Sequence, residues 1–231
     1  MSLNKLCVYM GIALLSLMVP TGYAAADFVF DLNTGSPQSP PFFPDFAKVD
    51  VHLQDSTNAT ITFTSLKNDL NNMTYLLGSG SQGPAAVAVN VNAKLWTVSS
   101  ITGSNSGLAF SPGQFTKGGS GTMGVFGTFN QTINDQLGFI HAATSLSFTL
   151  TNLSGTWTDA GNVLAQNERG GFAAGQIFVS SIPADYTSSL AGDGFASNLR
   201  INVPVPEPAT LLLFGSGLLV LACLRRRFNK N

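Results

Sequence analysis

The central 178 residues of this 231-residue chain, Asp27 to Pro204, contain no cysteine, a single glutamate and only two histidines. The two cysteines, Cys7 and Cys223, lie in apolar segments near the ends. The body therefore has neither a disulfide framework nor a thiolate metal site. A body of this length buries enough surface to fold without such staples. Charge is also scarce. The body holds ten Asp and one Glu against four Lys and two Arg, a net charge of −5. The whole-chain value of −1 hides this, because the tail adds Arg225, Arg226, Arg227 and Lys230. With no basic patch, nucleic-acid binding is excluded as a reading. The composition also lacks the Ala, Glu, Lys and Leu enrichment of a long-helix protein. Three catalytic signatures are missing: the G-x-S-x-G elbow, the H-E-x-x-H zinc helix and the G-x-x-x-x-G-K phosphate loop. No repeat of fixed period occurs, which weighs against solenoids.

What is there is small and polar. Gly, Ser, Thr and Asn number 20, 20, 18 and 15 in the body, so turns and short strands dominate. Residues 1–26 have the order of a secretory signal. Lys5 precedes the apolar run Leu6–Val19, Pro20-Thr21-Gly22 breaks it, and small residues follow. Ala24 and Ala26 fit the A-x-A pattern and predict cleavage before Asp27.

Residues 205–231 form a second distinct segment. Pro206-Glu207-Pro208 precedes the uncharged run Leu211–Leu224, and Arg225-Arg226-Arg227 closes it. A helix over 209–224 is about 24 Å long at ~1.5 Å per residue. That is short against a hydrocarbon core of about 30 Å, and snorkelling arginines make up part of the gap. The Arg cluster stays cytoplasmic, so the body is expected on the far side of the membrane. The two prolines keep the helix from running back into the body.

Triplet, apolar helix and basic cluster together closely resemble the PEP-CTERM sorting signal. The resemblance implies processing by an exosortase in the inner membrane of a Gram-negative bacterium. Release or attachment at the cell surface follows, with a link to exopolysaccharide and biofilm matrix. This kind of tail also goes by the name ice-binding protein C-terminal domain, which assigns no activity to the body. Within the body, Phe126–Asn130, Ser147–Asn152, Gly155-Thr156-Trp157 and Ala173–Val179 resemble uncharacterised PEP-CTERM body domains, which carry no assigned activity.

Period-2 alternation predicts an all-β body, a single domain of β-sandwich or jelly-roll-like architecture. Strands are expected at Phe28–Leu32, Lys48–Gln54, Thr60–Thr64, Val87–Val91, Leu95–Ile101, Met123–Phe129, Leu146–Thr151, Gln176–Ile182 and Asn198–Val203. Ser65–Met73 and Gly161–Glu168 are the best helix candidates, and Gly103–Gly124 and Ser36–Asp45 the longest expected loops.

Four constellations could carry chemistry. Glu168 and Asp159 are the candidate carboxylate pair for glycan hydrolysis, which needs two acids about 5–10 Å apart and one raised pKa. Asp50 and His52 share a strand face, about 6.6 Å apart, but no third metal ligand is identifiable. Asp31–Gly35 and Asp193-Gly194 resemble fragments of calcium loops without the downstream acid. Thr60, Thr62 and Thr64 stand on one strand face, with Thr149 and Thr151 as a second rank, a pattern that can match an ice lattice; with the calcium-loop fragments it gives a further alternative, an ice- or calcium-dependent adhesive module. Trp96 and Trp157, with Tyr75 and Tyr186, are the aromatics that could stack on a sugar, although in an all-β domain such rings more often build the core. The expectation is a non-enzymatic exported surface or matrix protein with no cofactor and no metal. Its partners are exosortase and inner membrane in transit, then exopolysaccharide. The alternative is a carbohydrate-active enzyme.

Overall fold

The computed structural model describes residues 26–35, 45–68, 73–80, 83–105, 108–109, 114–137, 142–180 and 190–198. All lie in one of the chain's two units, Ala25–Val205. The expected signal run, Ala24, Pro206-Glu207-Pro208, the 209–224 helix, Arg225–Arg227, His141 and Tyr186 lie outside the described residues. Among the described residues no helix is long and apolar enough to cross a membrane.

The fold is all-β. Its strands are β1 (Phe28–Leu32), β2 (Thr34–Gly35), β3 (Ala47–Leu53), β4 (Asn58–Ser65), β5 (Lys67–Asn68), β6 (Met73–Leu77), β7 (Ala85–Val89) and β8 (Trp96–Asn105). They continue with β9 (Leu108–Ala109), β10 (Phe115–Lys117), β11 (Gly121–Thr122), β12 (Thr128–Phe129), β13 (Gln131–Asp135), β14 (Ser145–Asn152), β15 (Ala173–Ser180) and β16 (Leu190–Ser197). One antiparallel sheet runs β1-β3-β4-β14-β8-β9. The second runs β10-β13-β7-β15-β16-β2, with β6 pairing β15 beyond the end of β7. β11 and β12 form a small separate ribbon.

The alternation in β3, β4 and β14 sorts side chains by face. Val49, Val51, Leu53, Ile61, Phe63, Leu146, Phe148 and Leu150 are buried, and the residues between them are not. Those inward side chains join Val87, Val89, Ile133, Ala173 and Ile177 of the second sheet in one apolar cluster, so the core lies between the two layers. Phe28, Phe30 and Phe172 pack as a trio, with ring centroids 5.1, 5.5 and 5.9 Å apart. Each aromatic pair adds about 0.5–1.5 kcal/mol beyond its buried area. At the start of β15, Asn198 Oδ1 accepts from the backbone N–H groups of Phe172 and Ala173.

Several expected elements are corrected. Met123–Phe129 is not a strand: Gly124–Phe126 is a 3₁₀ turn, and only Thr128–Phe129 pairs. Gly124 and Gly127 have φ values of +54° and +87°, left-handed backbone that breaks the extended chain. Ser65–Met73 is not a helix, since Ser65, Lys67–Asn68 and Met73 lie in strands. Gly161–Glu168 contributes only the end of the short 3₁₀ turn Ala160–Asn162, capped by Asp159. Gly103–Gly124 contains the end of β8 and all of β9, β10 and β11, so it is not one loop. The last strand among the described residues is β16, ending at Ser197; of the expected strand Asn198–Val203 only Asn198 is described, outside any strand, and residues 199–203 lie outside the described residues.

Candidate functional site

Across β4, β14 and β8 the outer face of the first sheet is built almost entirely of hydroxyls. Four ranks cross β4, β14 and β8 in register: Asn58, Thr151 and Thr97; Thr60, Thr149 and Ser99; Thr62, Ser147 and Thr102; Thr64, Ser145 and Ser104. Eleven of these twelve positions are Ser or Thr, none is charged, and all are half-buried or exposed. The sequence pattern already put Thr60, Thr62 and Thr64 on one face. It did not reveal the rank on β8.

That rank depends on a bulge. The register on β14 shifts between Ser147 and Thr149, so Ser99 and Thr102 both face the hydroxyl side although they are three positions apart. Strict alternation would send them to opposite faces. Ser100 absorbs the extra residue at φ +51°, the left-handed region that non-glycine residues rarely occupy. Spacings follow from sheet geometry, about 4.8 Å between strands and about 6.7 Å between ranks. The hydroxyls also orient one another. Thr62 Oγ1 and Ser147 Oγ are 3.0 Å apart, and Thr151 Oγ1 donates to Asn58 Oδ1 at 2.7 Å.

β3 borders this face with charge. Lys48, Asp50 and His52 oppose Thr64, Thr62 and Thr60. His52 does not share a ligand set with Asp50: its Nδ1 lies 2.6 Å from Asp27 Oδ1. Asp50 Oδ1 is buried without a hydrogen-bond partner. Burial, and then repulsion from Asp27, raise the Asp50 carboxyl above its ordinary range, with Lys48 and His52 pulling the other way. Among the described residues, no group of three His, Cys, Asp or Glu side chains converges to hold a metal ion. The calcium-loop fragments are not loops either. Asp31 sits in β1 opposite Lys48, and Asp193 sits in β16 opposite Phe178.

The carboxylate pair takes up structural duties. Glu168 Oε1 accepts the Thr128 backbone N–H at 2.8 Å. That bond, with a smaller contribution from Arg169, holds its carboxyl below the ordinary value, opposite to what a glycosidase acid needs. Asn167 Nδ2 adds bonds to the carbonyls of Phe126 and Thr128, so Asn167 and Glu168 together strap the 3₁₀ turn and β12 onto the body. Asp159 is the cap of the other 3₁₀ turn, accepting from Asn162 N at 3.0 Å.

The tryptophans separate. Trp157 is 3% exposed, in the core, and its indole N–H donates to the Asn92 carbonyl at 2.9 Å. No ring face remains there for a sugar, so this candidate contact is withdrawn. Trp96 is half-buried against the core, and its N–H crosses from the first sheet to Gln131 Oε1 on the second at 3.0 Å. Tyr75 is fully buried against Phe46.

The decisive assignment comes from the tail. Residues 204–227 match the PEP-CTERM protein-sorting motif, which includes Pro206-Glu207-Pro208 and Arg225–Arg227. The chain therefore carries the sorting signal of an exported protein processed by an exosortase. Neither curated proteins nor solved structures gave a match.

Proposed function

We propose that the body is a non-catalytic module of the bacterial surface or extracellular matrix that contacts exopolysaccharide. In this reading the signal peptide exports the chain. The C-terminal helix then holds it in the inner membrane until an exosortase releases it toward the surface and biofilm matrix. The single observation that carries the reading is the uncharged hydroxyl face on β4, β14 and β8. Each Ser or Thr hydroxyl donates one hydrogen bond and accepts two, and rotates to suit its partner. Polysaccharide chains offer the same neutral donor-acceptor chemistry along their length. Many weak contacts on one face give retention by multivalency without any deep cleft.

The carbohydrate-active alternative would need Glu168 as an acid, and its lowered pKa and bond to Thr128 count against that role. An ice-facing role would use the same hydroxyls, but the bulge at Ser100 adds twist where a crystal lattice needs a plane. The test is retention of the full chain on exopolysaccharide from its own host, with soluble sugar measured in parallel. Retention without sugar release is expected. Sugar release that disappears in Glu168→Gln would replace the module with an enzyme.

A further inference from the structure

The hydroxyl face ends in a rank of a different kind. The register that sets Thr151 opposite Thr97 and Asn152 opposite Trp96 runs one step further, to Leu153 and Leu95. The Leu153 backbone N–H donates to the Leu95 carbonyl at 2.9 Å. Side chains two residues apart share a face, so the two leucines follow the Thr151–Thr97 rank at a spacing of about 6.7 Å. Leu153 is 55% exposed and Leu95 is 58% exposed. Their neighbours take the inward positions: Asn152 is buried, and Trp96 packs against the core.

Both leucines are held out by the backbone around them. Ser154 Oγ accepts the backbone N–H groups of Lys94 and Leu95, each at 3.1 Å. Ser154 N in turn donates to Asn152 Oδ1 at 3.0 Å. These bonds tie the turn before β8 to the turn after β14. The positions beneath the leucines are already filled by Trp96 and Asn152. A pair fixed in this way loses little freedom when a ligand covers it. The composition of the face sharpens the contrast. Ser, Thr and one Asn fill the four ranks, and a fifth rank of the same residues would sit in water at no cost. Two leucines instead leave apolar area in water that a partner removes.

We propose that this end of the face recognises an acetyl group on the polysaccharide. The hydroxyl ranks hold the sugar hydroxyls, and the methyl of an acetyl ester or an acetamide rests between Leu95 and Leu153. An aliphatic pair suits a methyl group, whereas the flat C–H face of a sugar ring suits an aromatic plane. The rings of Trp96 and Trp157 are turned to the core. One buried methyl is worth about fourfold in affinity. An acetyl group is also neutral, as are the twelve positions of the adjoining ranks. This inference rests on the glycan reading above and narrows it to acetylated polymers.

The full chain, purified in a detergent without a sugar headgroup, is run in affinity electrophoresis on acetylated glucomannan. A parallel gel holds the same glucomannan after mild alkali, which removes acetyl esters. Isothermal titration with chitopentaose and cellopentaose compares an acetamide with a hydroxyl on otherwise matched rings. The two pairs separate an ester from an amide as the source of the methyl. Binding about fourfold tighter for the acetylated member is expected in at least one pair. Leu95→Ser combined with Leu153→Ser extends the hydroxyl chemistry into the fifth rank. It should abolish that preference and leave binding of the unacetylated member unchanged, with circular dichroism confirming the fold. If the double variant does not fold, Leu153→Thr alone reads the same loss. Equal binding of both members in both pairs, or a preference that survives in a folded variant, overturns the proposal. So does a dimer of the parent chain that the double variant dissolves, since a second copy then covers the leucines. Retention of the same preparations on the host's exopolysaccharide separates the two readings. Retention with no acetyl preference removes this inference alone, and loss of retention removes the glycan reading as well.

Discussion

Replacing Trp157 measures whether this ring is core or contact surface. Its side chain is 3% exposed, and its N–H is bonded to the Asn92 carbonyl at 2.9 Å. Truncation to alanine removes a large buried ring at about 3–5 kcal/mol. Losing the hydrogen bond adds about 0.5–1.5 kcal/mol. The sum, about 3.5–6.5 kcal/mol, is a large part of the roughly 5–15 kcal/mol that holds a typical domain together. Trp157→Ala is therefore expected to be largely unfolded at 37 °C. Trp157→Phe keeps an aromatic ring and loses the donor and some volume, about 1–3 kcal/mol. At about 2–4 °C per kcal/mol for a domain of this size, its melting temperature should fall by roughly 2–12 °C. Urea unfolding followed by far-UV circular dichroism gives the free energy. Fluorescence of Trp96, the other tryptophan of the two, reports the same transition. Alanine at 157 within about 0.5 kcal/mol of the parent protein, accompanied by lost glycan retention, would refute the core assignment.

Other perturbations have defined outcomes. Asp50→Asn should raise the melting temperature at pH 7 by about 1–2 °C, because the ionised carboxylate is disfavoured there by burial and by Asp27. The sign follows from the raised folded pKa: the protonated acid favours folding at low pH, that contribution is lost as pH rises, and the gain from Asn should vanish in acid. Asp55 is the opposite case. Bonds from Asn58 and Thr57 lower its carboxyl to about 2, so its contribution is present above its ordinary 3.8 and is lost as pH falls toward 2. Asp55→Ala should melt about 2–4 °C lower at pH 7, with the gap closing in acid scans. Deleting Ser100 removes the extra residue and restores strict alternation from Ser99 through Ile101 to Thr102, so Thr102 and Ser104 should stay on the hydroxyl face and exopolysaccharide retention should persist; a deletion that loses cooperative folding would contradict the role given to Ser100. Changing Pro206-Glu207-Pro208 to alanines should leave the protein uncleaved in the inner membrane, as fractionation and blotting would show.

Strands with one dry and one wet face were legible in the sequence. β3, β4 and β14 alternate apolar and polar residues because one side meets the core and the other meets water. β13 hid because Gln131, Thr132 and Asp135 are all buried, so hydrophobicity carried no period there. β16, reading Leu-Ala-Gly-Asp-Gly-Phe-Ala-Ser, has turn composition, yet it pairs with β15 along its length. Small residues suit a strand that is covered on both sides, as Gly194, Phe195, Ala196 and Ser197 are. The hydroxyl face was half legible. The Thr60–Thr64 rank follows from spacing, but Ser99 and Thr102 join it only through a backbone irregularity that no residue pattern announces. The 3₁₀ turn between β11 and β12 was not legible at all. It depends on Gly124 adopting positive φ where the local alternation reads as strand.

The neutrality of the twelve outer positions on β4, β14 and β8 has a consequence for the medium. Charged adhesive surfaces are tuned by ionic strength, since their attraction fades beyond about 8 Å at physiological salt. A protein sent outside its cell meets whatever ions the surroundings hold, from rainwater to brine. Contacts made by hydroxyl dipoles at hydrogen-bonding range carry no counterion atmosphere to release or rebuild. This face would keep the same grip as the salinity around it changes.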